Sequence, residues 1–448
     1  MKSEYSLTQG NIFITLVKFG LPLLGVNFLQ SLYNIVDMMV VGHYVGSVGV
    51  AAISNASTIC FIINSICIGV TTGGSVLISQ NIGAQKEKEV NKIIDNLMII
   101  SIIISLLISV VGINTIKPLF QMINVPHVAM EVACNYMIIM YVGTIAVFGY
   151  NMVCAIMRGV GNSRSPFVYV LIATIINIIL DFVLVGKLDM GVEGAAIATV
   201  IAQCISFLIA LAEIRKCEFI RIRVPRGIDK KISLSILNLG LPTALQMVIV
   251  NVAFLIINGM LNIYGINVIA GYGIGLKINT FVGMFCWAIG QSVTIMVGQN
   301  IGANKNERVI ETVKIACLIN IVFTGILVFF VNVFATNIIA LFDNSLEVIK
   351  EGTKYLRLCC SVNSIIYALM YTFDSFLIGI GKARLAMINA MLDAFVIRIP
   401  LAFFLNYFFQ LEETGIYLGQ AIAPIAPMIV GIIYFSKKSW VGKNLISA

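Results

Sequence analysis

Ionisable side chains are rare in the long apolar stretches of this chain. The candidates for membrane-embedded charges are Asp37, Asp181, Asp374, Asp393 and Arg398. If these stretches cross a membrane, each charge costs about 2.5–3.5 kcal/mol at the bilayer centre on an insertion scale. Each therefore needs a partner or a function.

Asp37 and Asp181 form the clearest pair. Both lie near the ends of apolar stretches that we predict to run in the same direction, and Thr199 lies at a similar depth. Asn177 precedes Asp181 by four residues and so shares its helical face. These oxygen ligands suit a small hard cation, while two adjacent carboxylates in a low dielectric would instead hold a proton. A polar network that only joins the helices is the alternative.

The chain is a duplication. Gln80–Ala84 returns as Gln299–Ala303, and Gly20–Pro22 returns as Gly240–Pro242. Gly159-Val160-Gly161 and Gly379-Ile380-Gly381 repeat in the same order. Internal repeats in an apolar chain are typical of membrane transporters.

The second copy serves as a control for the first. When the two copies are aligned on these motifs, Ile257 corresponds to Asp37, and Leu401 corresponds to Asp181. The fold therefore forms without these acids. This favours a function for them over a structural role.

Composition indicates an integral membrane protein that is all α-helical. Hydrophobic residues make up 59% and charged residues 11%, against about 25% charged in soluble domains. Stretches of about 20 apolar residues cross a bilayer. We predict twelve spans, near residues 13–39, 50–78, 93–114, 133–157, 166–187, 194–213, 233–262, 270–298, 312–335, 355–378, 386–408 and 415–435.

Basic residues fall in alternate loops. By the positive-inside rule this places both termini and the central basic segment in the cytoplasm, as expected for a multi-pass protein of the cell membrane. The formal charge of +8 is explained in this way, and no nucleic-acid partner is needed. The start of the chain lacks the pattern of a cleaved signal peptide.

Two lobes of six helices follow from this topology. We predict an N-terminal lobe at 1–213, a linker at 214–232 and a C-terminal lobe at 233–448. Because each half has an even number of spans, the halves are parallel repeats around a central cleft. We expect a monomer.

The remaining candidates carry weaker signals. Asp374 lies near Lys382 and is either interfacial or a second coupling acid. Asp393 and Arg398 are five residues apart and poorly aligned for a direct pair, so we expect an ion pair with another helix. Apolar cleft walls that suit flat, lipophilic or cationic molecules are Phe28, Tyr33, Phe148, Met152, Tyr367, Met370 and Tyr371.

Metal and enzyme chemistry are not indicated. The ten cysteines lack metal-type spacing and are interpreted as buried thiols. His43 and His127 are predicted in separate loops. An intramembrane enzyme would need a nucleophile and base or a metal set, and no cofactor beyond a coupling ion is expected.

Several linked motifs resemble the multidrug and toxic compound extrusion (MATE) family over nearly the full chain. They are Leu21-Pro22, Tyr33 to Asp37, Gln80 to Ala84, Arg158-Gly159, Asn177 to Asp181, Gly191 to Thr199, Leu241-Pro242, Gln299 to Ala303 and Arg308. The resemblance implies a Na+- or H+-coupled antiporter that exports organic cations and drugs across the lipid bilayer by alternating access.

The resemblance also assigns residues. Asp37, Asn177, Asp181 and Thr199 match the cation-site positions of the bacterial and archaeal branch, with the backbone carbonyl of Ala195 as a further ligand. Pro22 matches the hinge of the first span, although a static kink fits equally. Positions lining the cavity of this lobe correspond to Gln30, Tyr33, Tyr136 and Asn151, and we add Met152. The seventh span has no acid, which leaves Asp374 as the only C-lobe candidate.

A flippase for lipid-linked or polysaccharide precursors is the nearest rival. It would need a more polar or basic cavity, and the walls assigned above carry no Lys or Arg.

Overall fold

The computed structural model describes residues 6–122, 125–215, 220 and 227–441. Within these ranges the chain is helical with short connections, and no strand occurs there. Twelve helices are long and apolar enough to span a membrane, which confirms the predicted number. Helices are expected because, in lipid, backbone polar groups must be satisfied within the segment.

Six spans come from the first half. They are α1 (Ile12–Tyr44), α2 (Ser47–Gly83), α3 (Glu87–Met122), α4 (His127–Val160), α5 (Arg164–Asp181) and α6 (Gly191–Ile214). A first π-helix, Phe182–Lys187, continues α5.

The second half has more breaks. It comprises α7 (Lys230–Leu261), α8 (Ile266–Gly302), α9 (Asn306–Val333), α10 (Ala335–Ala340), α11 (Leu346–Cys359), α12 (Val362–Gly379), α13 (Ala383–Met391), α14 (Ile399–Tyr407), α15 (Glu412–Ile422) and α16 (Ile425–Ser436). A short 3₁₀ turn, Asn262–Tyr264, follows α7, and a second π-helix, Leu392–Arg398, joins α13 to α14.

The tenth predicted span, 355–378, is not one helix. The chain breaks between α11 and α12, at Cys360 and Ser361. Asn332 donates a hydrogen bond from Nδ2 to the Cys360 carbonyl at 2.6 Å, which satisfies an acceptor freed by the break. Of these two helices, only α12 is long and apolar enough to span a membrane.

No group of three or more His, Cys, Asp or Glu side chains that could hold a metal ion occurs in the described part of the chain. His43 lies in the last turn of α1 and not in a loop, because α1 runs past the predicted end of its span. His127 is the first residue of α4. The nine described cysteines are free thiols.

Two compact units divide the chain. One comprises Met1–Ser6 and Leu21–Ala244, and the other comprises Leu7–Gly20 and Leu245–Ala448. We call them unit 1 and unit 2. The divisions fall inside α1 and α7, within three residues of Pro22 and Pro242. Most of the predicted linker, at 216–219 and 221–226, lies outside the described residues, and the predicted lobe boundaries stay a prediction.

Small residues let the start of α7 pack closely on α2 within unit 1. A Cβ atom added at Gly73 would lie 2.4 Å from the Ile236 carbonyl oxygen, and one at Gly69 would lie 2.5 Å from the Ala244 Cβ. Such close backbone approach is the usual basis of helix association in lipid, where the hydrophobic effect does not drive it.

Unit 2 shows the equivalent contact between the start of α1 and α8. Gly20, which corresponds to Gly240 in the repeat, faces Ile289 and Ser292, and the same test atom would lie 3.2 Å from each. The duplication therefore extends to helix contacts.

Residues before α1 are tied to unit 2 by a polar clamp. The clamp consists of Gln299, Asn300, Lys305 and Arg308. Gln299 Oε1 accepts a hydrogen bond from the Leu7 amide at 2.9 Å, and Asn300 donates to the Leu7 carbonyl at 3.4 Å. The second copy of the repeated pentapeptide thus fixes the chain entering the first span.

The two basic members of the clamp bind backbone carbonyls. Lys305 Nζ donates to the Thr8 carbonyl at 2.8 Å. Arg308 donates from its two terminal nitrogens to the carbonyls of Gly10 and Gln9, each at 2.8 Å. These are charge-assisted bonds, the stronger class of hydrogen bond.

Replacing Gly73 tests the α2–α7 contact. We expect Gly73→Leu to destabilise the purified protein by about 3 kcal/mol or more, because the side chain would overlap backbone and cannot be relieved by a rotamer change. Thermal unfolding in detergent measures this. Gly259→Leu in α7 is the matched control, since no heavy atom would lie within 4 Å of its Cβ. Equal unfolding midpoints for the two variants would contradict the contact.

Candidate functional site

Asp37 and Asp181 come together inside unit 1. Asp37 lies on α1 with 5% of its surface exposed, and Asp181 ends α5 with 0% exposed. The two carboxyl groups are within reach of a direct hydrogen bond. Both Oδ atoms of Asp181 and Oδ1 of Asp37 have no hydrogen-bond donor among the described residues.

Asn177 and Thr199 adjoin this pair. Asn177 lies one turn before Asp181, and its Nδ2 donates to Thr199 Oγ1 at 3.4 Å. The other amide atom, Oδ1, is buried and without a donor. Tyr33 on α1 is close enough to Thr199 for a hydrogen bond and interacts electrostatically with both acids. The four residues predicted from the sequence are thus neighbours.

The first π-helix helps to bring α5 and α6 together. A Cβ atom added at Gly194 would lie 3.2 Å from the backbone of Leu184, which belongs to that π-helix. The next residue, Ala195, is fully buried on α6 and lies one turn before Thr199. The π-helix that follows Asp181 in the chain therefore packs against the start of α6 and keeps it beside the acids.

This arrangement is complementary to a positive species. Asp37 Oδ1, Asn177 Oδ1 and both Oδ atoms of Asp181 are buried acceptors that lack donors within the described part of the chain. Burying charged oxygens without a partner is strongly unfavourable. Oxygen ligands of these types fit Na+, and a proton shared between the carboxylates would meet the same need. A purely structural network would supply donors.

The predicted cavity residues differ in their surroundings. Tyr136 is buried and interacts electrostatically with Asp37, so it adjoins the acids as Tyr33 does. Asn151 donates to the Val147 carbonyl of its own helix at 2.9 Å. Gln30 is exposed, and Met152 packs in an apolar core. Their assignment to a substrate cavity stays a prediction.

Three predicted wall residues also differ in burial. Phe148 and Met370 are buried, while Phe28 is 47% exposed. Burial of this degree limits what Phe148 and Met370 can offer to a bound molecule. Tyr367 and Tyr371 stack at 6.3 Å between ring centroids in unit 2.

Asp374 is a satisfied acid. It is buried on α12 in unit 2, where its two oxygens accept hydrogen bonds from Gln246 Nε2 at 3.1 Å and Asn389 Nδ2 at 2.8 Å. Its partners are these amides, and Lys382 forms no ion pair with it in the described structure. Two amide donors compensate the carboxylate without a bound ion.

Asp393 and Arg398 pair directly, so the prediction of partners on another helix was wrong. Arg398 Nη2 lies 2.6 Å from Asp393 Oδ2, and both residues are 2% exposed. The reason is the second π-helix, in which residues five apart are joined by the backbone bonding pattern. The guanidinium also lies over the Phe254 ring at 4.9 Å.

The buried aspartates of the described chain therefore differ in kind. Asp374 has amide donors and Asp393 has an arginine. Asp37 and Asp181 have each other and no cationic side chain. This contrast makes the pair in unit 1 the candidate ion site, and its assignment stays a prediction.

Neutralising Asp181 tests this interpretation. We expect Asp181→Asn to raise the unfolding temperature in Na+-free buffer, because it removes one of two adjacent buried charges, and to abolish stabilisation by added ion. For wild type, an ion at 100 times its Kd stabilises by about 2.7 kcal/mol. Calorimetric scans with and without Na+, at two pH values, measure both effects.

Asp374→Asn is the control for this prediction. Its new amide group would face an amide donor, so we expect a loss of about 1–3 kcal/mol with the ion effect retained. The site assignment fails if Asp181→Asn keeps the wild-type response to both Na+ and pH.

The ion pair between Asp393 and Arg398 leads to a separate prediction. Arg398→Met should cost about 3–5 kcal/mol because it leaves Asp393 charged and unpaired. The double variant Asp393→Leu with Arg398→Met should recover most of this stability. Chemical denaturation of the purified variants measures the difference, and equal stability of single and double variants would argue against the pair.

Comparison with known proteins supports the fold and its duplication. A family model, MatE, matches residues 22–183 and again 242–404. The matched segments begin at the two prolines of the repeated Gly-Leu-Pro motif. Together they cover more than half of the chain.

Individual relatives match over nearly their whole length. The chain is 27% identical to probable multidrug resistance protein YoeA of Bacillus subtilis, over 90% of this chain and 89% of that protein. It is 25% identical to probable multidrug resistance protein NorM of Thermotoga maritima, over 95% and 92%.

A solved structure has the same fold. An outward-facing multidrug resistance MATE family transporter of the MOP superfamily superposes with a TM-score of 0.93, at 21% identity, over 99% of this chain and 100% of that one. The duplicated helical architecture, the twelve spans and the family match agree. The chain belongs to the MatE family and is a membrane transporter, not an enzyme.

Proposed function

We propose that this protein is a multidrug efflux antiporter driven by Na+ or H+. The observation that carries the proposal is the cluster of buried acceptor oxygens at Asp37, Asn177 and Asp181, which lacks donors in the described structure. The printed names of relatives in Bacillus and Thermotoga, and of multidrug export protein MepA in Staphylococcus haemolyticus, support the drug class of cargo.

Ion capture is the first step of the proposed cycle. An ion from outside binds between Asp37 and Asp181, with Asn177 Oδ1 and Thr199 Oγ1 as further oxygens and the Ala195 carbonyl as the ligand suggested by the family. A proton would instead be shared by the two carboxylates. Either ion removes the repulsion between the acids.

The second step is transmission along α1. Asp37 and Pro22 lie on the same continuous helix. Pro22 lacks an amide hydrogen and weakens the helix at that turn, and the division between the compact units falls beside it. A shift of Asp37 on ion binding therefore bends α1 most easily about Pro22.

Cargo release follows from competition. Tyr33 lies one turn before Asp37 and close to Thr199, so a cargo that contacts this face of α1 competes with the ion for the same side chains. By linkage, the factor by which the ion weakens cargo binding equals the factor by which cargo weakens ion binding. The alternating-access cycle then exports cargo while the ion moves inward.

The electrostatic environment favours cationic and lipophilic cargo over anionic lipid precursors. The groups that act on Asp37 and Asp181 are carboxyls, phenols and a thiol, and no Lys or Arg is among them in the described residues. A pyrophosphate-bearing precursor would meet uncompensated negative charge here. The flippase alternative therefore has less support.

The proposed setting is the cell membrane. The distribution of basic loops supports a cytoplasmic location for both termini, and a single chain holds every residue of the proposed ion site. We therefore propose a monomer as the working unit.

Asp37→Asn tests coupling. Proteoliposomes loaded with a fluorescent cationic dye are given a Na+ gradient or a pH gradient separately, and dye movement is followed. We expect wild type to respond to at least one gradient and Asp37→Asn to lose at least about tenfold in rate, which is about 1.4 kcal/mol of activation free energy.

Glu131→Gln is the matched control, because Glu131 is an exposed acid of unit 1 on α4. It should transport as wild type does. Gradient-driven transport by Asp37→Asn at the wild-type rate would refute coupling through this acid, and absence of transport by wild type under both gradients would refute antiport itself.

A further inference from the structure

An apolar groove of about 340 Å³ lies on unit 2, between three helices. It is lined by Val313, Lys314, Cys317, Leu369, Phe373, Ile432 and Phe435. These residues come from α9, α12 and α16. One charged group, the Lys314 ammonium, stands in an otherwise apolar lining.

The groove lies at a basic end of its helices. Lys314 is in the third turn of α9, and Phe435 is in the last turn of α16. Lys437 and Lys438 follow directly after α16 and are exposed. An apolar channel with lysines at one end has the amphipathic pattern of a phospholipid, with its tail in the groove and its phosphate at the lysines.

Lys314 has no acidic partner in the described structure. The nearest acid along α9 is Glu311, and its charge acts on Arg308, which also binds the segment before α1. The ammonium is thus available to an external anion. A cationic drug would be repelled here, and a lipid with a zwitterionic headgroup would gain less than an anionic one.

We propose that this groove binds one anionic phospholipid from the leaflet at the basic end of the helices. One acyl chain occupies the space between α9, α12 and α16, and the phosphate pairs with Lys314 and Lys437. Since the surroundings are already lipid, burying the chain gives little selectivity, and the headgroup charge supplies it. By the positive-inside rule this leaflet faces the cytoplasm. The proposal does not depend on the transported cargo.

The chain contains a reporter for this site. Trp440 is 3% exposed and packs on Phe376 at 5.2 Å and on Phe435, a groove residue, at 6.3 Å between ring centroids. The other tryptophan is Trp287. In a Trp287→Phe background, fluorescence therefore comes from beside the groove.

Brominated lipids test the proposal because bromine quenches a nearby indole. The full-length Trp287→Phe protein is placed in phosphatidylcholine vesicles that contain increasing brominated phosphatidylglycerol or brominated phosphatidylcholine. We expect half-maximal quenching at a brominated phosphatidylglycerol fraction at least threefold lower than for brominated phosphatidylcholine.

Two variants and one control distinguish the effect of the Lys314 charge from that of the apolar groove. Lys314→Gln should reduce the preference for phosphatidylglycerol towards one, whereas Lys277→Gln, an exposed lysine of α8 that does not line the groove, should keep it. Cys317→Phe should fill the groove and weaken quenching by both lipids.

Equal quenching by the two brominated lipids in the Trp287→Phe protein would overturn the proposal without any further variant. A preference unchanged by Lys314→Gln would also overturn it. If Lys314→Gln does not fold, Lys314→Arg, which keeps the charge, is expected to retain the preference, and its loss would count against phosphate pairing.

Discussion

The main physical constraint in this structure is the burial of two neighbouring carboxylates in a low dielectric. Asp37 and Asp181 cannot both stay charged and unaccompanied, because like charge and desolvation act together against them. In the described structure three of their four carboxylate oxygens lack a donor, and no cationic side chain acts on either acid. In the proposed function a mobile positive species would balance this charge. Dependence of stability and of transport on that species would then have the same physical origin.

The two halves solve the problem of buried acid differently. The family model matches both halves, and the helix contacts at Gly240 and Gly20 correspond. Yet unit 2 compensates its acids internally, with amides at Asp374 and an arginine at Asp393. The duplicated scaffold has thus kept its packing, while unit 1 holds an acid pair that has neither amide nor cationic partners among the described residues.

The sequence predicted the number of spans and proposed the members of the candidate ion site, although the tenth predicted span is divided between α11 and α12. Hydropathy reports burial in lipid directly. The acid pair and Asn177 were singled out because Asn177 and Asp181 are spaced to share a helical face, and because apolar residues take the corresponding positions in the second copy. These signals are local or come from comparing one half with the other. They need no knowledge of how helices pack.

Other features were beyond sequence reasoning because tertiary packing decides them. The direct pairing of Asp393 with Arg398 depends on a π-helix, and helix propensity does not reveal where one extra residue is accommodated. The amide donors of Asp374 come from two other helices. Sequence reasoning likewise did not predict that α1 and α7 are each divided between the compact units, because a sequence repeat need not coincide with a compact structural unit.

The polar clamp on unit 2 holds its target by main-chain atoms. Lys305 and Arg308 bind the carbonyls of Thr8, Gln9 and Gly10, and no side chain of those three residues takes part in these bonds. The side chains that make this attachment therefore all belong to the clamp. These bonds set no demand on the side chains of the tethered stretch, although Gly10, with a φ of 79°, lies in the backbone region that favours glycine. An exchange at Arg308 would release two attachments at once. A search for functional positions by sequence variability would therefore point to Lys305 and Arg308 more readily than to the segment that they hold.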